Sequence, residues 1–273
     1  MNLDILVEKA RAGSREALEQ VVEAIQDEIY RLSIRMLWHP HDAEDATQEI
    51  LIRVVTNLNA FRGDSAFKTW VYRIASNHLL TTRKRRAEQK PISFEEFAAD
   101  HAEGLSDAPP DGYTEAEQKL LVQEVKIGCT QAMLLCLDRD HRLTYILGEI
   151  LEFTSVEGAA ILEITPEAFR KRLSRSRERI QQFMEGHCGL VNSGAACRCH
   201  KRVKQAIKLE HVDPNHLLFP NHPASEKMEI ADVEQHVAQL EALHKSAAVF
   251  RSNPEFDAPG KLLKTVQSLF DSD

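Results

Sequence analysis

Apolar residues recur every three or four positions along most of the chain. In the stretch ALEQVVEAIQDEIYRLSIRMLW, Leu18, Val21, Val22, Ile25 and Ile29 follow this spacing. The spacing is that of one face of an amphipathic α-helix. No segment sustains the two-residue alternation of a half-buried strand. The pattern therefore predicts an all-α protein.

Turn and capping residues divide the helical pattern into segments. His39 and Pro40 interrupt the first long one, because the residue before a proline is biased away from helical geometry. Asp42 is then the predicted N-cap of the next helix, and Ser65 of the helix that follows a short loop. Residues 1–88 are thus predicted to form an N-terminal helical bundle.

Residues 89–118 differ in composition from the rest of the chain. They hold eight acidic residues against one lysine, with a Pro-Pro pair and two glycines. Such a composition predicts a flexible or extended acidic linker. Helical spacing resumes after it, which defines a second domain at 119–184 and a C-terminal extension at 185–273, itself largely helical.

The stretch TSVEGAAILEITPEAFRKRLSRSRERI, at 154–180, predicts two short helices joined by a tight turn. Thr154 and Glu157 fit a capping box, and Pro166 suits the first position of the second helix. That helix buries Phe169 on one side and carries cations on the others. The layout is typical of a DNA-binding helix-turn-helix. A solvated basic helix in an αα-hairpin is the alternative.

Charge refines this picture through the positions of the cations. The chain has a formal net charge of −8, so contact with nucleic acid requires local basic clusters. Two such clusters occur, RKRR at 83–86 and RKRLSRSRER at 170–179. No stretch approaches the ~20 apolar residues of a membrane helix, and the N-terminus lacks the apolar run of a signal peptide. We therefore expect a cytoplasmic protein without membrane insertion.

The order of these modules resembles that of bacterial RNA polymerase sigma factors of the sigma-70 family, extracytoplasmic-function (ECF) type. The resemblance is carried by DAEDATQEILIRVV at 42–55, by FRGDSAFKTWVYRIASNHLLTTRKRR at 61–86, and by the helix-turn-helix with the preceding 134–150. It implies sigma region two at 1–88 and region four at 119–184. It also implies a transcription initiation factor without enzymatic activity, whose partners are core RNA polymerase and promoter DNA. An anti-sigma factor is a further partner that the family allows.

The resemblance assigns roles to three sets of residues. The set that contacts core polymerase is Asp42, Asp45, Gln48, Glu49 and Arg53. The set that recognises and melts the minus-ten element is Arg62, Gly63, Asp64, Ser65, Lys68, Trp70, Arg73, Asn77, Arg83, Lys84, Arg85 and Arg86. The set that contacts the minus-thirty-five element is Thr165, Arg170, Lys171, Arg172 and Arg175. Within these sets, Trp70 also fits the spacing of a core residue, and the first set also fits an ordinary polar helix face.

Three positions depart from the family's pattern. Thr81 stands where an acidic residue is usual, and Glu163 replaces the usual glycine of the helix-turn-helix turn. Gly158 occupies a position where a bulky apolar residue is common. Recognition of the minus-thirty-five element is therefore expected to be altered.

The extension begins with a cluster of side chains that bind soft or borderline metals. Its members are His187, Cys188, Cys197, Cys199 and His200. Zinc takes four such ligands, while the Cys-x-Cys spacing also suits copper(I) or thiol redox chemistry. The family's function requires no cofactor. Three interpretations stay open: a site for zinc or another thiophilic metal, a redox sensor, and a structural loop.

Two other functional classes compete with the sigma-factor interpretation. A helix-turn-helix regulator with an N-terminal helical sensor domain would bind an operator without polymerase, yet it would need neither the 42–55 helix nor the basic 61–86 block. A metal-dependent enzyme would need a general base near the cysteines, and the sequence offers no such pattern. In the sigma-factor interpretation, the extension is expected to regulate activity in cis.

Overall fold

The computed structural model describes residues 3–82, 92–219 and 230–260. Every regular element within these ranges is helical, which confirms the all-α prediction. The predicted DNA-contacting residues Arg83, Lys84, Arg85 and Arg86 lie outside the described residues. No helix in the described ranges is both long enough and apolar enough to cross a membrane. The chain divides into two compact units, which are described in turn.

The first unit comprises, among described residues, 3–82, 146–171 and 256–260. Its N-terminal part is a bundle whose core is fully buried at Leu32, Leu37, Ile50 and Leu79. Its N-terminal elements are α1 (Leu3–Arg11), α2 (Arg15–Leu37), α3 (Pro40–Thr56), a 3₁₀ turn (Leu58–Ala60) and α4 (Phe67–Thr81). Later in the chain, a π-helical turn (Ile146–Ile150), α8 (Ser155–Leu162) and the start of α9 (Pro166–His187) complete the unit.

Two predicted N-caps in this unit are wrong. α3 begins at Pro40, so its cap is His39 instead of Asp42. The N–H at the first helical position makes no hydrogen bond within the helix. A proline there loses nothing by lacking it, so the helix can begin at Pro40. The cap of α4 is Ala66, without a side-chain hydrogen bond, because the Ser65 hydroxyl donates to the Ala66 carbonyl oxygen instead.

The helix-turn-helix forms as predicted. Thr154 and Glu157 make the capping box of α8, with the Thr154 N–H donating to the Glu157 carboxylate at 2.9 Å. Glu163 is the C-cap that follows α8, and its backbone is left-handed with φ 54°. α9 (Pro166–His187) then begins, and the Ala168 N–H donates to the Thr165 hydroxyl at 3.1 Å. The turn therefore places a non-glycine residue where the family usually has glycine.

Gly158 has a packing role inside the helix-turn-helix. A Cβ built at Gly158 would overlap the ring of Phe169, which is fully buried. The Phe169 ring thus occupies the space that a larger residue at position 158 would need. This explains why this chain tolerates glycine at a position where a bulky residue is common.

The second unit comprises, among described residues, 92–145, 172–219 and 230–255. Its helices are α5 (Phe94–Ala102), α6 (Glu115–Leu135), α7 (Arg139–Tyr145), most of α9, α10 (Cys199–Lys208), α11 (Ile230–Ala238) and α12 (Ala242–Arg251). The extension contributes α10, which packs on α6 through one apolar cluster. That cluster is Leu121, Val125, Val203, Ala206 and Val212.

The segment predicted as a linker contains α5. Ser93 and Glu96 form a capping box at its start. The ring of Phe97 stacks on that of Phe183 in α9 with centroids 5.0 Å apart. Local capping and this aromatic contact explain why a helix forms within an acidic, proline-containing stretch.

Replacing Glu163 by glycine is expected to stabilise the chain by about 1 kcal/mol, since a left-handed backbone costs a residue with a Cβ roughly that much. The measurement is the midpoint of thermal unfolding of the full chain. Glu163→Ala keeps the strained backbone and removes only the carboxylate, so it should give no stabilisation. Equal midpoints for the two variants would show that the backbone strain has no energetic weight.

Candidate functional site

The predicted polymerase-binding residues share one face of α3. Ala43, Ala46 and Ile50 on the opposite face are fully buried in the bundle. Glu49 and Arg53 are exposed. The structure therefore brings this set together as a charged surface on a rigid helix: Asp42, Asp45, Gln48, Glu49 and Arg53.

The predicted minus-ten residues divide between a loop and α4. The loop residues Arg62, Gly63 and Asp64 are exposed and Ser65 is partly buried. Gly63 has φ 78° and open space around it. Because glycine adopts a left-handed backbone without steric cost, it suits the turn of this loop. The loop is thus accessible to a partner.

Trp70 belongs to an aromatic cluster on the bundle. Its ring lies 5.7 Å from that of Phe67 and 5.5 Å from that of Phe61, and the side chain is partly buried. Phe61 and Phe67 are themselves buried. Trp70 therefore packs as its helical spacing suggests while keeping part of its surface exposed.

Two predicted DNA-contacting side chains of α4 already have partners in the first unit. Lys68 pairs with Glu28 at 2.6 Å. Arg73 donates from Nε to the Ala160 carbonyl oxygen of α8 at 3.3 Å and lies 3.8 Å from Glu163. Asn77, by contrast, is exposed. DNA contact by Lys68 and Arg73 would require these pairings to break.

Aromatic packing reinforces the contact between α4 and the helix-turn-helix. The Tyr72 ring meets that of Phe153, just before α8, edge to face with centroids 4.8 Å apart. Burial raises the pKa of the Tyr72 phenol far above its usual value, with Glu28 adding to the effect. Tyr72 is therefore neutral and acts in this contact as an apolar ring.

The predicted minus-thirty-five residues lie around the start of α9. Arg170 and Arg175 are exposed, and Lys171 forms an exposed pair with Glu167 at 2.8 Å. Thr165 caps the helix, as described above. Within the second unit, Arg172 pairs with Asp140 at 3.0 Å and is only partly exposed. Arg170, Lys171 and Arg175 are thus the more accessible cations of this set.

Four of the five cysteines line one cavity in the second unit. The four are Cys129, Cys188, Cys197 and Cys199. The cavity is also lined by His101, Lys126 and Arg202. Three of these cysteines were predicted as metal ligands from the sequence, and the structure brings them together.

The other two predicted ligands do not line this cavity. His187 packs against the Phe183 ring with centroids 5.0 Å apart, and His200 is exposed on α10. Cys129 and His101 take part instead. Neither residue stands out in the sequence, because Cys129 lies within the apolar pattern of α6 and His101 within the predicted linker.

Burial controls protonation in the cavity. It raises the pKa of Cys197 to about 11 and raises that of Cys188, Cys129 and Cys199 as well. Burial also lowers the pKa of Lys126 to about 8, and burial followed by the Arg202 charge lowers that of His101 to about 4. The thiols and the imidazole are therefore neutral near pH 7.

Comparison with known proteins identifies the family. A family model described as Sigma-70 region 2 matches residues 21–89. ECF RNA polymerase sigma factor SigW of Bacillus subtilis is 31% identical over 179 residues, covering 64% of this chain and 93% of SigW. The chain belongs to the ECF RNA polymerase sigma factors. RNA polymerase sigma-H factor of Pseudomonas aeruginosa is 30% identical over 187 residues, covering 66% of this chain and 92% of that protein.

A solved structure of CnrH in complex with the cytosolic domain of CnrY covers 67% of this chain and 98% of that chain, with 20% identity and a TM-score of 0.48. As an ECF sigma factor, the protein is an initiation factor that directs RNA polymerase to promoters. This function favours the sigma-factor interpretation over the operator-binding regulator. The alignment with SigW leaves about a third of this sigma factor unmatched.

In this sigma factor, cations of the extension hold the acidic linker. Three ion pairs join α10 to it, Arg202–Asp100 and Lys201–Asp107 at 2.7 Å and Lys204–Asp111 at 3.5 Å. We call these three pairs the linker clamp.

Arg202 is the most buried cation of the linker clamp. Besides its ion pair with Asp100, its guanidinium donates to the carbonyl oxygens of Asp100 at 2.7 Å and Glu103 at 2.9 Å. Those carbonyls belong to the last turn of α5 and the residue after it, where carbonyls run short of helical donors, although that of Asp100 also accepts from the Glu103 N–H at 3.3 Å. Arg202 therefore caps α5 as well as neutralising an acid. The Lys201 ammonium, by contrast, acts at the surface and lowers the pKa of the exposed Asp107 through a hydrogen bond.

Arg202→Ala should destabilise the chain by about 2 kcal/mol, because the partly buried Asp100 carboxylate loses its cation and the Asp100 and Glu103 carbonyls lose the hydrogen bonds that Arg202 donates. Protease cleavage in the linker should accelerate. The measurements are the urea unfolding midpoint and the rate of limited proteolysis. Lys204→Ala is the matched control, since its exposed pair with Asp111 should contribute no measurable stability. Equal effects of the two variants would contradict the capping role of Arg202.

Proposed function

We propose that this sigma factor binds core polymerase through the charged face of α3. The support is the match of Sigma-70 region 2 to residues 21–89, which contain α3 entirely. The face is charged, exposed at Glu49 and Arg53 and partly exposed at its other residues, and it is carried by a helix with a fully buried opposite side. A rigid charged surface of this kind favours specific, electrostatically steered association. An anti-sigma partner would act by competing for this face.

Promoter DNA is assigned to the 62–65 loop, to the exposed side of α4 and to the start of α9. A loop with an open glycine turn can receive an unpaired base, and the neighbouring Trp70 offers part of a ring. Arg170 and Arg175 can reach phosphates or guanine edges from the second helix of the helix-turn-helix. The protein acts in the cytoplasm without enzymatic activity, and catalysis belongs to the polymerase.

Asn77→Ala should lower promoter opening about tenfold, the weight of one good base or backbone contact, while core-polymerase affinity stays unchanged. Asp45→Arg should instead weaken binding to core polymerase, because it reverses a charge on the α3 face. The measurements are open-complex formation on a defined promoter and affinity for core polymerase. Glu23→Arg, an exposed reversal on α2, is the control. A loss of core affinity in Asn77→Ala would contradict the division of roles.

The extension is proposed to restrain the sigma factor in cis through the linker clamp. In the family, the linker between regions two and four passes through the polymerase near the RNA exit path. Its acids then meet a basic channel, so α10 and the polymerase would compete for the same carboxylates. The observation that carries this proposal is the set of three ion pairs between α10 and the linker.

Removing the extension is a poor test of this proposal. Deletion would expose the face of α6 that packs on Val203 and Ala206. A change in activity could then reflect exposed apolar surface and aggregation instead of lost regulation. Charge reversal in the full chain avoids this effect.

Lys201→Glu combined with Lys204→Glu should raise initiation by at least about fivefold, the lower end of typical regulatory coupling. Both side chains are partly exposed, so the fold should persist. The assay is promoter-specific transcription with core polymerase. Lys208→Glu, an exposed reversal on the same helix, is the control. Unchanged or reduced initiation by the double variant would overturn inhibition by the clamp and leave the sigma-factor assignment intact.

A further inference from the structure

We propose that Cys129, Cys188, Cys197 and Cys199 form a thiolate site for a thiophilic cation, with Zn²⁺ as the ion that suits four such ligands. The site would join α6 to the start of α10. The inference deepens the proposed cis regulation and rests on it only for its biological consequence. Ion binding itself is a separate property of the chain.

The four cysteines come from three separate places in the chain. Cys129 lies in α6, Cys188 directly follows α9, and Cys197 and Cys199 flank the start of α10. Their convergence on one cavity is therefore produced by the tertiary fold. If the loop had only a structural role, its cysteines would not need to lie beside Cys129 of α6.

The loop that carries three of them is held by specific contacts. The backbones of Cys188 and Cys197 pair in an isolated parallel β-bridge. The Arg198 guanidinium donates to the carbonyl oxygens of Ala195 at 2.6 Å, Cys197 at 2.8 Å and Ser193 at 2.8 Å. This internal bonding restrains the loop and reduces the entropy that ordering its thiols around an ion would cost.

His101 provides a second observation at the cavity. Its side chain is 5% exposed, and Nε2 lies 3.5 Å from the Cys129 sulfur. Its Nδ1 is buried without a hydrogen-bond partner among the described residues. An imidazole beside a thiol can orient a metal-bound thiolate by hydrogen bonding, or replace one thiolate as a nitrogen ligand. His101 thus places a buried imidazole beside a thiol of the cavity.

Cations around the cavity match the charge of the proposed site. Four thiolates and one Zn²⁺ carry a net charge of −2. Lys126 is almost fully buried, and its ammonium donates to the Ser252 carbonyl oxygen at 2.9 Å. Together with Arg198 and Arg202 it places positive charge near the thiols. A buried cation is costly unless compensated, so Lys126 favours an anionic group in the cavity.

Coordination would rearrange the cavity locally. No three of the four thiols lie within 4.8 Å of one another. Among the described residues, that spacing is met by the surface group His41, Asp42 and Asp45. On binding, four S–H bonds would release their protons to water as four metal–sulfur bonds form, with no electron transfer. Movement of Cys197 and Cys199 would shift the start of α10.

That movement links the ion to the linker clamp. Lys201 and Arg202 lie in the first turn of α10, after Cys199 and His200. An ion that fixes the first turn of α10 would therefore fix the cations that hold the linker. We expect the metal-bound form to be the restrained form of the sigma factor.

The first experiment measures metal binding to the full chain, reduced and under anaerobic conditions, with Zn²⁺ and with Co²⁺ as a spectroscopic probe. We expect one equivalent, with the thiolate-to-cobalt charge-transfer band and the intense visible bands of a tetrahedral site. Cys129→Ser should weaken Zn²⁺ binding by more than the ~10–100-fold typical of an outer-shell change. Far-ultraviolet circular dichroism checks that the variant stays folded.

Two variants serve as matched controls. Cys136→Ser removes a buried cysteine at the end of the same helix that does not line the cavity, so it should bind as the unmodified chain does. His200→Ala removes the exposed neighbour of Cys199 and should also leave binding unchanged. Loss of binding in His200→Ala with full binding in Cys129→Ser would overturn the proposed ligand set.

Three further outcomes decide between metal and redox chemistry. Protection of four thiols from alkylation by Zn²⁺, seen by mass spectrometry, would support the site. Copper(I) that displaces Zn²⁺ and depends on the same cysteines would also support a thiophilic-metal site. A Cys188–Cys197 disulfide under mild oxidation, with no metal bound by the reduced chain, would overturn it in favour of a redox switch. None of these readouts involves polymerase, so they stand apart from the test of the linker clamp.

Discussion

The packing of α10 on α6 is the contact on which the second unit depends. Leu121 and Val125 of α6 meet Val203 and Ala206 of α10, and all four are buried. Burying a valine or leucine side chain contributes roughly 1.5–3 kcal/mol, which far exceeds what exposed ion pairs contribute. The extension is therefore part of the folded domain that contains α6. Both the cysteine cavity and the linker clamp exist because this contact fixes α10.

Apolar packing and charge have separate roles in this arrangement. The α6–α10 contact supplies stability. The linker clamp supplies specificity, because it selects which acidic residues of the linker pair with α10. The Arg202–Asp100 pair combines both, since it is largely buried and also caps α5. The pairs with Asp107 and Asp111 are exposed and hence weak and sensitive to salt. Weak outer pairs suit a restraint that another charged surface must displace.

Sequence reasoning succeeded where the signal was local. Helical spacing, the Thr154 capping box and the turn before Pro166 depend on neighbouring residues, and the fold follows them. It failed for α5, because the helix is stabilised by the stacking of Phe97 on Phe183, a residue distant in the sequence. It also missed Cys129 and His101, whose chemistry appears only when α5, α6 and the extension come together. The caps predicted at Asp42 and Ser65 missed the observed ones by a few residues, since helix ends are less sharply defined by sequence than helix interiors.

The pairing of α4 with α8 sets a condition on DNA binding within the first unit. Arg73 binds the Ala160 carbonyl oxygen, and Tyr72 packs on Phe153, so the helix proposed to contact the minus-ten element also packs against α8 and the residue Phe153 before it. In that proposed role, DNA would have to offer Arg73 a phosphate in exchange for the Ala160 carbonyl oxygen. Asn77 and the loop residues Arg62, Gly63 and Asp64 need no such exchange, because they are exposed already. If these residues contact the promoter as proposed, Asn77 and the exposed part of the loop can do so without the loss of an internal contact, whereas Arg73 must first give up its bond to α8.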